Sequence, residues 1–261
     1  MFVGERLIYV QLQKTACNHI TALLTRFANG KETKRHDLLK DYDSEKYIAG
    51  SVRNPWKWYV SLWAFGCMGY GLFHELVCRR EHVPDAKMWQ RTYIDHENPE
   101  CFRKWLKMVF GDRTRNDYFR GEGYSHLPQC FPLNKQPLTD LLGLYSFRYL
   151  RMHCRNRDDL MDGDKFTTMA QLRRFDRDNN FLDGVIRTEQ LEDDLIRVLR
   201  EAGYPLKDPQ IEIVRNESSN KRNKSRHKPA NFYYDDETID LVKRHDQFII
   251  GKYAYKFPAA K

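Results

Sequence analysis

At 261 residues the chain is long enough to bury one sizeable hydrophobic core without disulfide or metal staples, and its 41% hydrophobic and 31% charged residues suit an ordinary soluble globular protein. A formal net charge of +8 points toward anionic partners (nucleotides, acidic glycans, nucleic acid or a membrane surface) without choosing among them. No segment has the length of a membrane span, the opening MFVGERLIYVQLQK is too short and interrupted for a secretory signal, and the six cysteines, Cys17, Cys67, Cys78, Cys101, Cys130 and Cys154, contain no CxxC pair and fit reduced thiols in a cytoplasmic protein.

Taken in chain order, Leu7, Ile8, Val10 and Leu12 mark a short buried strand. Ile20, Leu23, Leu24 and Phe27 recur at helical spacing, and Asn29-Gly30 is a natural stop for that helix. A basic polar stretch leads to a second strand, YIAGSV at 47–52. Pro55 sits where a new helix begins, with Trp56, Tyr59, Val60 and Trp63 as its apolar face. From about Gly66 to Arg177 no single period dominates, although Cys101–Phe110 and Leu141–Met152 read as helical. Leu182–Ile186 is a third strand, and Thr188 is placed to cap the helix after it. Leu191, Leu195, Val198 and Leu199 line that helix, which Gly203 and Pro205 end. One closing helix is expected over Asp235–Tyr255, with Ile239, Val242 and Ile249 facing inward. Strands alternating with helices predict an α/β fold: a single domain over 1–261, a short parallel sheet flanked by helices, and a largely helical insertion at about 70–180.

Two segments carry chemistry. LIYVQLQKTACNHITALL reads as strand, tight polar loop and helix, a geometry that directs N–H groups and the helix dipole at a phosphate. Lys14 adds a cation there, and Thr15 and Asn18 add donors. The Walker pattern G-x-x-x-x-G-K-[ST] is absent, which removes the main support for a nucleotide kinase or NTPase. In YIAGSVRNPWKWYVSLWAFG, Arg53 ends the strand and Ser61 lies in the following helix; an arginine fork and a hydroxyl suit one phosphate. Taken alone, the first segment reads equally well as a surface turn with an incidental lysine, and the second reads more readily as a structural arginine capping the strand end with Ser61 on an ordinary helix face.

Together the pair resembles the sulfotransferases that use 3′-phosphoadenosine 5′-phosphosulfate (PAPS), the glycan-modifying and bacterial members above all. In these a K-[ST]-[AG] loop holds the 5′-phosphosulfate and an R-N-P…S segment holds the 3′-phosphate. The matching residues are Lys14, Thr15, Ala16 and Asn18, then Arg53, Asn54, Pro55 and Ser61. Many members carry glycine and threonine after the K-T-A start, whereas Cys17, Asn18 and His19 stand here, and a side chain at Cys17 narrows the approach to phosphate. Arg187, Glu189, Leu191 and Asp194 match a recurrent R-x-E-x-L-x-x-D pattern of structural role. NKSRHKPANFYYDDETIDLVKRHDQFIIGKYAYKF resembles the closing segment, which implies that Asn223, Ser225 and Arg226 lie over the nucleotide.

The resemblance implies a P-loop-like sulfotransferase fold. It also implies transfer of a sulfuryl group from PAPS to a hydroxyl or amine, 3′,5′-ADP as product, and residues 14–19, Arg53 and Ser61 at the donor. An acceptor such as a glycan would be shaped by the insertion. Lys14 would balance charge on the leaving phosphate. For the general base the choice is His36, with Asp37 and Glu32 as rivals.

A basic nucleic-acid-binding protein is the non-enzymatic alternative, but no aromatic interleaving or known motif accompanies KRNKSRHK. No metal is expected. His74, His82, His96, His126 and His153 lack HxxxH or HExxH spacing, and DRDNNF lacks the glycine and glutamate of a calcium loop. Trp56, Trp58, Tyr59 and Trp63 read as core packing rather than a sugar platform.

Overall fold

The computed structural model describes residues 1–40, 45–78, 86–111, 138–161, 165–216 and 227–259. Contacts divide the chain into two compact units. One comprises Met1–Arg53, Met152–Arg155 and Asn180–Lys224; the other comprises Asn54–Arg151, Asn156–Asn179 and Ser225–Lys261.

The first unit is built on one mixed sheet. Its strands are β1 (Phe2–Gly4), β2 (Leu7–Val10), β3 (Gly30–Glu32), β4 (Tyr47–Val52) and β5 (Gly184–Arg187), in the order β3-β1-β2-β4-β5. The three strands expected from sequence are there, and they are the parallel ones: Leu7 pairs with Tyr47 and Val10 with Gly50, then Ala49 with Gly184 and Val52 with Arg187. The expectation of a parallel sheet needs correcting at one side, where β1 runs antiparallel to both β2 and β3. Neither β1 nor β3 has a readable pattern, each being three residues long and β3 also polar and partly exposed.

Gly30 shows why the edge forms. A Cβ there would lie 2.4 Å from the Val3 carbonyl oxygen, so the residue expected only to end a helix also lets β3 close on β1.

Helix α1 (Cys17–Phe27) buries Ile20, Leu23 and Leu24 against Phe2, Leu7, Tyr9 and Ala49 of the sheet. Leu191, Leu195, Val198 and Leu199 of the helix Leu191–Glu201 join the same core; full burial stabilises by about 1.5–3 kcal/mol per large aliphatic side chain. Thr188 does not cap this helix. It sits in a 3₁₀ turn, Thr188–Gln190, with its hydroxyl on Glu189 Oε1 at 3.1 Å. The acidic first turn is instead used through Asp194, whose carboxylate accepts from the Arg187 N–H at 2.9 Å and from Arg197 at 3.1 Å. That gives the R-x-E-x-L-x-x-D pattern a structural task, tying the end of β5 to the helix that follows. Gly203, at φ 81°, terminates the helix as expected.

The second unit is helical and aromatic in its core. Helix α2 (Pro55–Cys67) opens with Pro55 in its first turn, and the Asn54 side chain accepts from Lys57 N–H at 3.3 Å. Trp56, Trp58, Tyr59 and Trp63 are all buried. Trp58 stacks on Tyr145 with ring centroids 4.6 Å apart, and Trp63 donates its indole N–H to the Thr92 carbonyl at 2.7 Å. The regions expected to be helical run Pro99–Phe110 and Leu144–His153, the latter ending in the first unit. Asp176–Asn179 lie inside the helix Met169–Asn179.

The single closing helix is a pair, Asp236–His245 and Gln247–Tyr253, broken at Asp246. Asp246 is fully buried, accepting from Tyr59 Oη at 2.5 Å and from the Ser146 N–H at 2.7 Å. Gly143 gives it room, since a Cβ there would meet the carboxylate at 2.6 Å. The chain breaks because a buried carboxyl must reach donors on α2 and on the helix Leu144–His153. Among the described residues no helix is long and apolar enough to cross a membrane.

Candidate anion-binding site

Residues 11–16 leave β2 as a tight turn that enters α1 at Cys17. Lys14 and Ala16 both adopt left-handed backbone, at φ 65° and 63°. Neither is glycine, so each costs of order 1–2 kcal/mol, and such conformations persist where the surrounding structure requires them. At the start of α1 the His19 and Ile20 N–H groups donate to the Ala16 carbonyl at 3.0 and 3.1 Å. The Cys17 and Asn18 N–H groups precede the first intrahelical acceptor, and no acidic side chain stands in that turn. The entrance to the helix is therefore electropositive.

A chain of buried hydroxyls holds the loop. Thr15 Oγ1 donates to the Leu12 carbonyl at 2.6 Å and lies 2.6 Å from Ser51 Oγ, which lies 2.6 Å from Tyr9 Oη. Because the Thr15 proton goes to a carbonyl, the order of donation is Tyr9 to Ser51 to Thr15 to Leu12, each hydroxyl donating once. Cys17 Sγ donates to the same carbonyl at 2.7 Å, and burial pushes its thiol pKa up.

These contacts sort the expected binding residues. The side chains of Thr15, Cys17 and His19 turn inward, and Asn18 is exposed. The Cys17 thiol packs on the Leu12 carbonyl, on the buried side of the loop.

Two cations meet at this turn. Arg53, at the end of β4, donates from Nη1 to the Lys14 carbonyl at 3.2 Å. Burial, and then the Arg53 charge, lower the Lys14 ammonium to a pKa of about 8 against the pull of Cys17. Ser61 belongs to the helical unit, on α2, and is 3% exposed. Asn223, Ser225 and Arg226 lie outside the described residues.

His36 also takes left-handed backbone, at φ 53°, and its Nδ1 lies 3.0 Å from the Gln11 carbonyl. A carbonyl only accepts, so Nδ1 carries the proton in this contact, and in the neutral form of the ring the lone pair would be on Nε2. The rivals are engaged otherwise. Burial raises the Glu32 pKa, but hydrogen bonds from Gln11 and Arg35 outweigh it and hold the carboxyl below its usual range. Asp37 Oδ1 accepts from the Leu38 N–H at 3.1 Å.

Gln11 was not among the expected site residues, yet it organises this corner. Its Nε2 donates to Thr21 Oγ1 at 2.8 Å and to Glu32 Oε1 at 2.7 Å. Ser51 and Tyr9 were missed as well. The available signal was a polar residue inside each apolar run: Gln11 after LIYV and Ser51 within YIAGSV.

Among the described residues no group of three or more His, Cys, Asp or Glu is placed to hold a metal ion. No protein-family model, curated protein or solved structure matches the chain.

Proposed function

We propose that the protein is a PAPS-dependent sulfotransferase whose donor loop is the Gln11–Ala16 turn. The observation that carries this reading is the convergence of Lys14 and Arg53 on a strained turn at the entrance of α1. Bound PAPS would supply a sulfuryl group activated by its phosphate leaving group. Lys14 and the Cys17 and Asn18 N–H groups would hold the 5′-phosphosulfate, and Lys14 would offset charge as the 5′-phosphate departs. Arg53 would grip the 3′-phosphate through its planar fork. His36 would accept the acceptor's proton at Nε2 while the acceptor oxygen forms its bond to sulfur.

Thr15 and Cys17 enter this reading through the shape of the loop and the direction of its N–H groups. The resemblance in sequence extends the donor set to Ser61, Asn223, Ser225 and Arg226, and it names a hydroxyl-bearing acceptor such as a glycan.

Calorimetric titration tests the reading. Binding of 3′,5′-ADP that is tight relative to ATP, and lost in Lys14→Ala, is the expected result. Preference for ATP would point to phosphoryl transfer and overturn it. Steeply salt-dependent oligonucleotide binding that survives Lys14→Ala would make the protein a nucleic-acid binder instead.

A further inference from the structure

Arg151 stands near the end of the helix Leu144–His153 and is 5% exposed. Its Nε and Nη1 are buried and meet no hydrogen-bond acceptor among the described residues. The carboxylate that faces it, Asp158, lies 3.9 Å from Nη1 and is itself 93% exposed, so its charge is hydrated and screened. Burial lowers the Arg151 pKa; Asp158 raises it and the neighbouring Arg157 lowers it further.

Burying two guanidinium nitrogens without a hydrogen-bond acceptor, with one long ion pair to an exposed carboxylate, is unfavourable. The partial negative charge at the helix end offsets only a fraction of that. If Arg151 served only to fill space, its aliphatic stem would do the work, and a methionine would do it without the buried charge. The arginine's distinguishing property is its fork of donors, matched in geometry to a carboxylate, sulfate or phosphate.

We infer that Arg151 is the fixed cation of an oxyanion-binding site in the helical unit, with Asp158 as the exposed carboxylate whose long ion pair an incoming anion replaces. The ligand group is a carboxylate or sulfate. It can arrive as a free inorganic anion or on a larger molecule such as an acidic saccharide. The inference stands on the helical unit alone and does not require the sulfotransferase reading.

The test uses the full chain carrying Lys14→Ala, so that the loop before α1 does not contribute. Thermal shifts are measured with sodium sulfate and with sodium glucuronate, against sodium chloride at equal ionic strength. At least one of the two oxyanions is expected to raise Tm above the chloride control. Arg151→Met should abolish that rise while leaving Tm in chloride equal or higher. Asp158→Asn, which removes the competing carboxylate, should tighten binding about two- to fivefold. Sulfate as the better ligand identifies a free-anion site, and glucuronate as the better ligand identifies an acidic sugar. An oxyanion response that persists in Arg151→Met overturns the inference, as does no response to either salt. Should Arg151→Met fail to fold, Asp158→Asn decides: unchanged or weaker binding overturns the inference.

Discussion

Arg53 Nη1 donates to the main-chain carbonyl of Lys14 across 3.2 Å. The guanidinium at the end of β4 is thereby fixed to the backbone of the residue whose ammonium it destabilises. Two like charges held together, with no acidic residue in the adjoining helical turn, favour an anion between or beside them.

This arrangement predicts a pH dependence. The Lys14 pKa lies near 8, below the ordinary lysine value. The unliganded protein therefore loses its Lys14 proton as pH rises through 8. Affinity for 3′,5′-ADP should be flat below that pH and fall by up to about tenfold per unit above it. Lys14→Met should weaken binding and remove the dependence. In Arg53→Ala the break should move to higher pH, because one cause of the lowered pKa is gone. A wild-type profile that stays flat to pH 10 would contradict the assignment.

Arg53→Ala should also distinguish the phosphates of the donor. Charged hydrogen bonds contribute about 1.5–3 kcal/mol, so affinity for 3′,5′-ADP should drop by about 10- to 100-fold. Affinity for 5′-AMP, which lacks the 3′-phosphate, should drop much less. Ser61→Ala, titrated in parallel, tests whether the hydroxyl shares that phosphate. Equal losses for the two nucleotides in Arg53→Ala would remove the arginine from the 3′-phosphate.

His36→Asn is the informative variant at the base, because asparagine tolerates the left-handed backbone that His36 adopts. Donor binding should be preserved and kcat should fall by about 10²–10⁴. Near-normal turnover would exclude His36 as the base and return attention to Glu32 and Asp37.

Asp246 predicts a stability effect in the helical unit. Burial raises its carboxyl to a pKa of about 6, although the Tyr59 and Ser146 hydrogen bonds favour the ionised form. The folded state thus binds the proton more tightly than the unfolded state, whose carboxyl has the usual value near 3.8. The protonated group's contribution is fully present below pH 3.8 and is lost as pH rises through 6. From this group alone, stability should be about 3 kcal/mol greater at pH 3.5 than at pH 7. Denaturant melts of wild type and Asp246→Asn across that range should differ by this slope, the variant lacking it. Parallel curves would show that the carboxyl titrates normally.

The fold was legible where burial imposes a period. β2 and β4 are runs buried on successive residues, β5 alternates, and α1 and the helix Leu191–Glu201 keep a clean apolar stripe. β1 and β3 were illegible because three-residue strands are defined by partners rather than pattern. The closing helix was read as continuous because its break comes from a tertiary demand, the donors that reach Asp246, which no local propensity expresses.

At the candidate site Lys14, Arg53 and His36 were readable as residue types with a task. The inward turn of Thr15 and Cys17 was not, since it depends on Ser51 and Tyr9 in separate strands. Arg151 lay in a region read as helical, and nothing in its spacing marks the burial that it shares with Arg148.

The sheet also has a temporal consequence. The Ile48 N–H in β4 is bound by the Asp183 carboxylate just before β5, a partner 135 residues away along the chain. Closing so wide a gap adds entropy cost only slowly with length, yet it must be met before any β4–β5 contact stabilises the sheet. During synthesis β1 to β4 can associate first, leaving one flank of β4 without a neighbour until residue 184 has emerged from the ribosome. That open flank is a place where a stalled or truncated chain would pair with another copy of itself.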